Sequence, residues 1–218
     1  MKKLDIVAYE YIKEKILNNE YKAKQIISEK DLAKDLNISK TPVKIALENL
    51  KKENFVIINP RKSVCIKEVD LKLIKDVFQI RSIIEPLLVE LTISYLPEGE
   101  LKLHLINFRS KFEKMSKKTT VKTEDFDKLY DSYRYFFAKN CGNLFLSQKM
   151  ELVYDHLHRI RKILHGTKYR RLEAVEEHIE IINKILNKND IKIIKDLCSK
   201  HIEAAQISFF KNINMINL

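Results

Sequence analysis

The apolar residues of this chain keep a helical spacing almost throughout, and the one clear departure, between Phe55 and Ile66, follows three short helical stretches. Ile6, Tyr9, Ile12, Ile16 and Leu17 recur at the spacing of one helix face over residues 5–17. After a polar turn, Ser28 stands three residues before Asp31 like an N-cap for a brief helix carrying Leu32, Ala33 and Leu36. Asn37 breaks that stretch. Ser39 or Thr41 can cap the next, with Pro42 in its first turn and Val43, Ala46, Leu47 and Leu50 on one side, and it ends near Asn54. Phe55-Val56-Ile57-Ile58, the basic turn Asn59-Pro60-Arg61-Lys62-Ser63 and Val64-Cys65-Ile66 then read as two strands around a charged tip. Three helices closed by such a hairpin predict a winged helix-turn-helix over residues 1–68.

From Val69 onward no strand pattern is visible, and helices are predicted over 70–95, 98–116, 123–141, 143–165, 168–188 and 190–213. Pro86 should kink the first of them, and Asn143 and Asn189 or Asp190 suit N-caps. The fold is therefore expected to be mainly α, a winged head followed by an all-α antiparallel bundle over residues 69–218. With Gly99, Gly142 and Gly166 the only glycines, neither a dinucleotide-binding nor a P-loop glycine motif can be assembled. The formal charge of +11 suits a polyanionic partner, but residues 1–68 carry 15 basic and 10 acidic groups, so charge alone does not locate it. Cys65, Cys141 and Cys198 form no CxxC and cannot all pair, which fits a reducing cytoplasm. No apolar run reaches membrane-spanning length and no signal-peptide core follows Lys2 and Lys3, so a soluble, unprocessed chain without a membrane partner is expected.

Ser28-Glu29-Lys30-Asp31-Leu32-Ala33, then Leu36-Asn37-Ile38-Ser39-Lys40-Thr41-Pro42-Val43-Lys44, then Ala46-Leu47 resemble the DNA-binding domain of the GntR family. The resemblance covers residues 5–68. It implies operator contacts from Lys30, Lys40, Thr41 and Lys44, with the wing-tip residues Arg61 and Lys62 near the DNA. This chain has lysine at positions 40 and 44 where the family usually has arginine, and Arg61 where the wing usually has glycine. Lysine binds phosphate and guanine but lacks the planar fork that reads guanine bidentately, so an unusual operator preference is expected.

The helical half resembles the FCD effector domain of the FadR subfamily, through Arg81 and Glu85, Gly142-Asn143, Glu177-His178, and Asp190 with His201. That resemblance implies a small-molecule sensor and a homodimer. Many such domains bind a divalent metal through an Asp and a His four apart on one helix and a His on each of the last two. His178 and His201 match the latter pair. Counting back from Gly142-Asn143 without a gap puts Tyr130 and Arg134 at the other two positions, whereas a one-residue gap puts Asp131 and Tyr135 there. Two imidazoles and at most one carboxylate make a thin site for zinc or nickel, held by His178 and His201 with Asp131. Arg134 offers another solution, a guanidinium that neutralises a carboxylate or phosphate directly, with His178, His201 and Tyr130 around it. Its simplest competing account is surface exposure. Tyr130, Tyr133 and Tyr154 could line a cavity or serve as ordinary core. His156, His158 and His165, among Arg159, Arg161 and Lys162, read as a solvated face, although His156 or His158 could still turn toward the pocket.

Together these features predict a ligand-responsive transcriptional repressor that binds operator DNA as a homodimer and senses a small anionic metabolite such as an organic acid. The alternative is a helical metal-dependent enzyme with a nucleic-acid-binding head. It lacks its chemistry, since no Glu-x-x-His or His-Glu-x-x-His motif contains His178 or His201 and no nucleophile with a positioned base can be named.

Overall fold

The computed structural model describes residues 3–59, 63–118, 122–163 and 170–213, so the expected wing-tip contacts Arg61 and Lys62 lie outside the described residues. In chain order the elements are α1 (Leu4–Leu17), β1 (Ile26–Ser28), α2 (Glu29–Asp35), α3 (Lys40–Lys52), β2 (Val56–Ile58) and β3 (Ser63–Ile66). These are followed by α4 (Leu71–Tyr95), α5 (Glu98–Ser116), α6 (Thr123–Asn140), α7 (Leu144–Ile163), α8 (Arg171–Leu186) and α9 (Ile191–Ile213). A winged helix-turn-helix followed by a helical domain is the architecture the periodicity predicted.

Local chemistry accounts for the ends of these helices. Ser28 Oγ accepts from the Asp31 N–H at 3.1 Å and starts α2. Asn37 (φ 52°) and Asn54 (φ 68°) take the left-handed conformation directly after α2 and α3. Each lets the following residue close the helix, Ile38 N–H to Ala33 O at 3.0 Å and Phe55 N–H to Leu50 O at 2.9 Å. The turn of the helix-turn-helix is thus built by one asparagine. Asn143 Oδ1 accepts from Leu146 N–H at 2.9 Å to begin α7, and Asp190 Oδ1 accepts from Lys192 N–H at 2.8 Å to begin α9. Gly142, between α6 and α7, has φ +70°, and a Cβ there would meet the Tyr95 ring at 2.5 Å.

One strand was not anticipated. β1 pairs antiparallel with β3, Ile26 opposite Cys65 and Ser28 opposite Ser63, giving a sheet ordered β1-β3-β2. Three residues are too few to show a period, so the segment reads as part of the polar turn. Its register is fixed by Ile27, which is buried while Ile26 faces out.

The chain divides into two compact units, Met1–Ile74 with Asp155–His165, and Lys75–Tyr154 with Gly166–Leu218. The first therefore includes the last turns of α7. Its core joins Ala8, Ile12 and Ile16 of α1 to Val43, Ala46, Leu47 and Leu50 of α3, closed by Phe55, Val64 and Ile66, all fully buried. Sequence reasoning placed His156 and Arg159 on a solvated face, and there it was wrong. They are 5% and 2% exposed, packed in the first unit with Leu157 and Ile160. The second unit has an aromatic core that includes Phe108, Phe112, Phe126, Tyr133 and Phe137. Among the described residues no helix is long and apolar enough to cross a membrane.

Candidate functional site

Two places carry chemistry, one in each unit. In the first, α3 is amphipathic: Val43, Ala46, Leu47 and Leu50 are buried, while Lys40, Thr41 and Lys44 are exposed on its first turns. Lys30, on α2, is exposed as well. An exposed helix face of this kind has the dimensions of a major-groove reader, and its lysines supply mobile point charges for phosphate or guanine oxygens.

In the second unit, Tyr130 and Arg134 of α6, His178 of α8 and His201 of α9 line one cavity of about 30 Å³. Tyr154 of α7 and Glu85 of α4 complete its polar lining with Tyr133, and Leu88, Val89, Ile181 and Ile202 its apolar wall. The four effector residues named from sequence thus converge, although two of them are 71 residues apart. Arg134 is 3% exposed and not on the surface. Its Cζ lies 4.1 Å from the Tyr130 ring centre and 5.1 Å from that of Tyr154. Nη2 donates to Asp131 Oδ1, whereas Nε and Nη1 are buried without a hydrogen-bond partner, as is the Tyr133 hydroxyl.

A chain of strong hydrogen bonds runs beside this guanidinium. Arg81 Nε donates to Glu85 Oε1 at 2.6 Å and Nη2 to the Tyr130 oxygen at 3.3 Å. The Tyr130 hydroxyl and His201 Nε2 share a 2.6 Å bond, and His201 Nδ1–H donates to Glu177 Oε2 at 2.6 Å. Arg170 in turn donates to Glu177 and to the His201 carbonyl. Burial disfavours an imidazolium at His201, but Tyr130 and Glu177 outweigh it and hold its pKa above the ordinary value. Burial likewise opposes a Tyr130 phenolate, and the cations His201, Arg81 and Arg134 outweigh it, lowering the phenol pKa. His178 goes the other way. Burial first, and then the nearby cations, keep it neutral, with its pKa well below normal, and Nδ1–H donates to the Ala174 carbonyl.

These bonds decide how well a divalent ion would fit. His201 has both nitrogens engaged, by a carboxylate and a phenol. Asp131 does not line the cavity, and it accepts from Arg134. Among the described residues no three His, Cys, Asp or Glu side chains are grouped to hold a metal. A divalent cation would also face the Arg134 guanidinium across the cavity that His178 and His201 share, and Glu85, the carboxylate in the lining, is already bonded to Arg81. The residues present do not fit zinc or nickel, and the expected set of His178, His201 and Asp131 is replaced by a cationic cavity.

The resemblance to the FCD domain singles out Arg81, Glu85 and Glu177 without giving them a part in the site, and in the structure they orient it. Arg81 and Glu85 form an i,i+4 pair on α4, and their tie to Tyr130 bridges 49 residues. Glu177 orients His201 from another helix, 24 residues away. The helix-face spacing of Arg81 and Glu85 hints at the first, whereas no local pattern ties Glu177 to His201.

Comparison with known proteins gives the context. Residues 7–66 match the bacterial regulatory proteins of the gntR family, and residues 76–204 match the FCD domain. The chain is 26% identical over 198 residues to YdhC of Bacillus subtilis (strain 168), described as an HTH-type transcriptional regulator, covering 90% of this chain and 84% of that one. Among solved structures it resembles E. coli McbR/YncC, with TM-score 0.76, 18% identity and coverage of 97% of this chain and 99% of that one. A GntR regulator from Rhodococcus sp. RHA1 aligns with TM-score 0.72 at 12% identity, over 95% of this chain and 97% of its own. At these identities the structures speak for the fold alone. The regulator relatives and the two domain matches set aside the enzyme alternative. The chain belongs to the gntR family of bacterial regulatory proteins, in the form that carries an FCD domain behind its DNA-binding head, and it is a DNA-binding transcriptional regulator.

Proposed function

We propose that this regulator is a cytoplasmic, homodimeric repressor of the FadR type whose DNA binding responds to a small carboxylate or phosphate held by Arg134. One observation carries the reading: Arg134 Nε and Nη1 are buried beside the cavity with no acceptor. Unpaired buried charged donors are costly, and an anion in the cavity supplies an oxygen acceptor to one of these N–H groups, a charge-assisted bond. Tyr133 and Tyr130 supply hydroxyls to the same ligand, and a protonated His201 adds charge. A space of about 30 Å³ has room for a water or two, so the anion enters by pushing back part of the aromatic wall.

On the DNA side, Lys30, Lys40, Thr41 and Lys44 contact the operator, with Arg61 and Lys62 reaching the backbone from the wing. Two such heads on a palindrome require a dimer, which the FCD half supplies. Calorimetric titration of acetate, pyruvate and inorganic phosphate into the wild type and Arg134→Gln tests the pocket. Binding of at least one of these anions to the wild type, weakened about tenfold or more in the variant, is expected. Equal binding by both proteins would overturn the role of Arg134, and a monomer by light scattering with and without DNA would overturn the dimer.

A further inference from the structure

The buried end of α7 makes contacts that the effector cavity does not use. Within the first unit, His156 Nε2–H donates to the carbonyl of Glu53 at 2.9 Å, and its ring stacks on Phe55 at 4.3 Å between centres, 14° from parallel. One turn on, Arg159 Nη2 donates to the carbonyl of Lys67. Asp155 Oδ2 lies 2.7 Å from Lys13 Nζ of α1, which also reaches Glu53 Oε2 at 3.1 Å. Tyr9 adds its hydroxyl to the same carboxylate at 2.7 Å.

The two carbonyls hold particular places. Glu53 is the C-cap of α3, the helix that presents Lys40, Thr41 and Lys44, and its carbonyl is among those a helix end leaves without an intrahelical donor. Lys67 follows β3 directly, at the root of the wing, where its N–H is tied to Phe55 O at 3.0 Å. One helix face, through residues at i and i+3, therefore grips the end of α3 and the base of the wing together. Among the described residues Arg159 has no carboxylate partner. Burial pulls its pKa down to about 10, so a charge is kept in the interior for a single backbone acceptor. A Leu or Met would fill that volume at lower cost, which argues that the directed bond matters.

We propose that His156 and Arg159 are positioning residues for DNA reading, fixing the angle of α3 and the wing from a helix of the FCD half, an inference that rests on α3 being the reading helix. Tyr154, the residue before Asp155 on the same helix, lines the effector cavity.

The test uses full-length protein, a duplex selected by the wild type from a randomised pool, and a scrambled duplex. His156→Phe keeps the stack but loses the donor, and Arg159→Met keeps the bulk but loses the charge. Both should weaken binding to the selected duplex about tenfold while leaving the scrambled duplex and the salt dependence unchanged, since no phosphate contact is removed. His156→Gln and Arg159→Lys, which retain a donor, should recover part of the loss. A fall in the salt slope by about one would make Arg159 a phosphate ligand instead and overturn the role. So would a parallel loss on both duplexes, or no loss at all. Lys44→Ala serves as the control for the underlying reading: if it too leaves discrimination intact, the assignment of α3 has failed, and the positioning role fails with it.

Discussion

His156 makes the stability of this protein depend on pH in a way that can be isolated. Burial, then the cations of Arg159 and Lys13, hold its pKa near 4 against the ordinary 6.5. Its Nδ1 is buried without a partner, so a second ring proton would have nowhere to donate. Between those two values the unfolded chain binds the proton and the folded chain does not, so stability is complete above about pH 6.5 and falls as the pH drops toward 4. The loss attributable to this group is about 2 kcal/mol between pH 8 and pH 5, approaching about 3 kcal/mol below pH 4. His156→Gln keeps a donor for the Glu53 carbonyl and cannot titrate. The other buried groups remain in the variant, so subtracting its stability from that of the wild type cancels them. Because the chain has no Trp, urea unfolding is best followed by far-UV circular dichroism. The wild type should lose about 2 kcal/mol relative to the Gln variant from pH 8 to pH 5. Parallel pH profiles would refute the burial argument.

Three further outcomes are expected. Lys44→Ala should weaken binding to a selected duplex by about tenfold or more, with a smaller effect on scrambled DNA, measured by fluorescence anisotropy at moderate salt. Gly142→Ala should cost about 1 to 2 kcal/mol in urea unfolding, because φ +70° strains any L side chain and the new Cβ meets the Tyr95 ring. Elemental analysis of protein purified without chelator should find zinc and nickel well below one per chain. Tight one-to-one metal, lost when His178 and His201 are replaced together, would show that the cavity rearranges to a different donor set.

What could be read from the sequence follows from how far each signal reaches. The helices from Leu71 to Ile213 are long and amphipathic, and each carries its own period, so their limits fall within a few residues of expectation. Arg134 could be placed beside His178 and His201 only through the resemblance to the FCD domain, whose ligand positions the ungapped count from Gly142-Asn143 puts at Tyr130 and Arg134. β1 is hidden because three residues show no period and its partner lies near residue 65. His156 and Arg159 were misread for a related reason. Basic residues on a helix normally face water, and the acceptors that draw these two inward are main-chain carbonyls about a hundred residues earlier, which carry no side-chain signature. The Tyr130–His201–Glu177 chain likewise spans three helices whose mutual packing no local pattern encodes.

An anion on Arg134 is expected to change how the head holds DNA, and one titration tests this most directly. Full-length protein is bound to a labelled duplex selected by the wild type, and acetate, pyruvate or inorganic phosphate is added at constant ionic strength while anisotropy reports release. At least one of these anions should shift DNA affinity about fivefold or more in the wild type and leave Arg134→Gln unmoved. DNA affinity indifferent to all three, or a shift of equal size in the variant, would contradict the account.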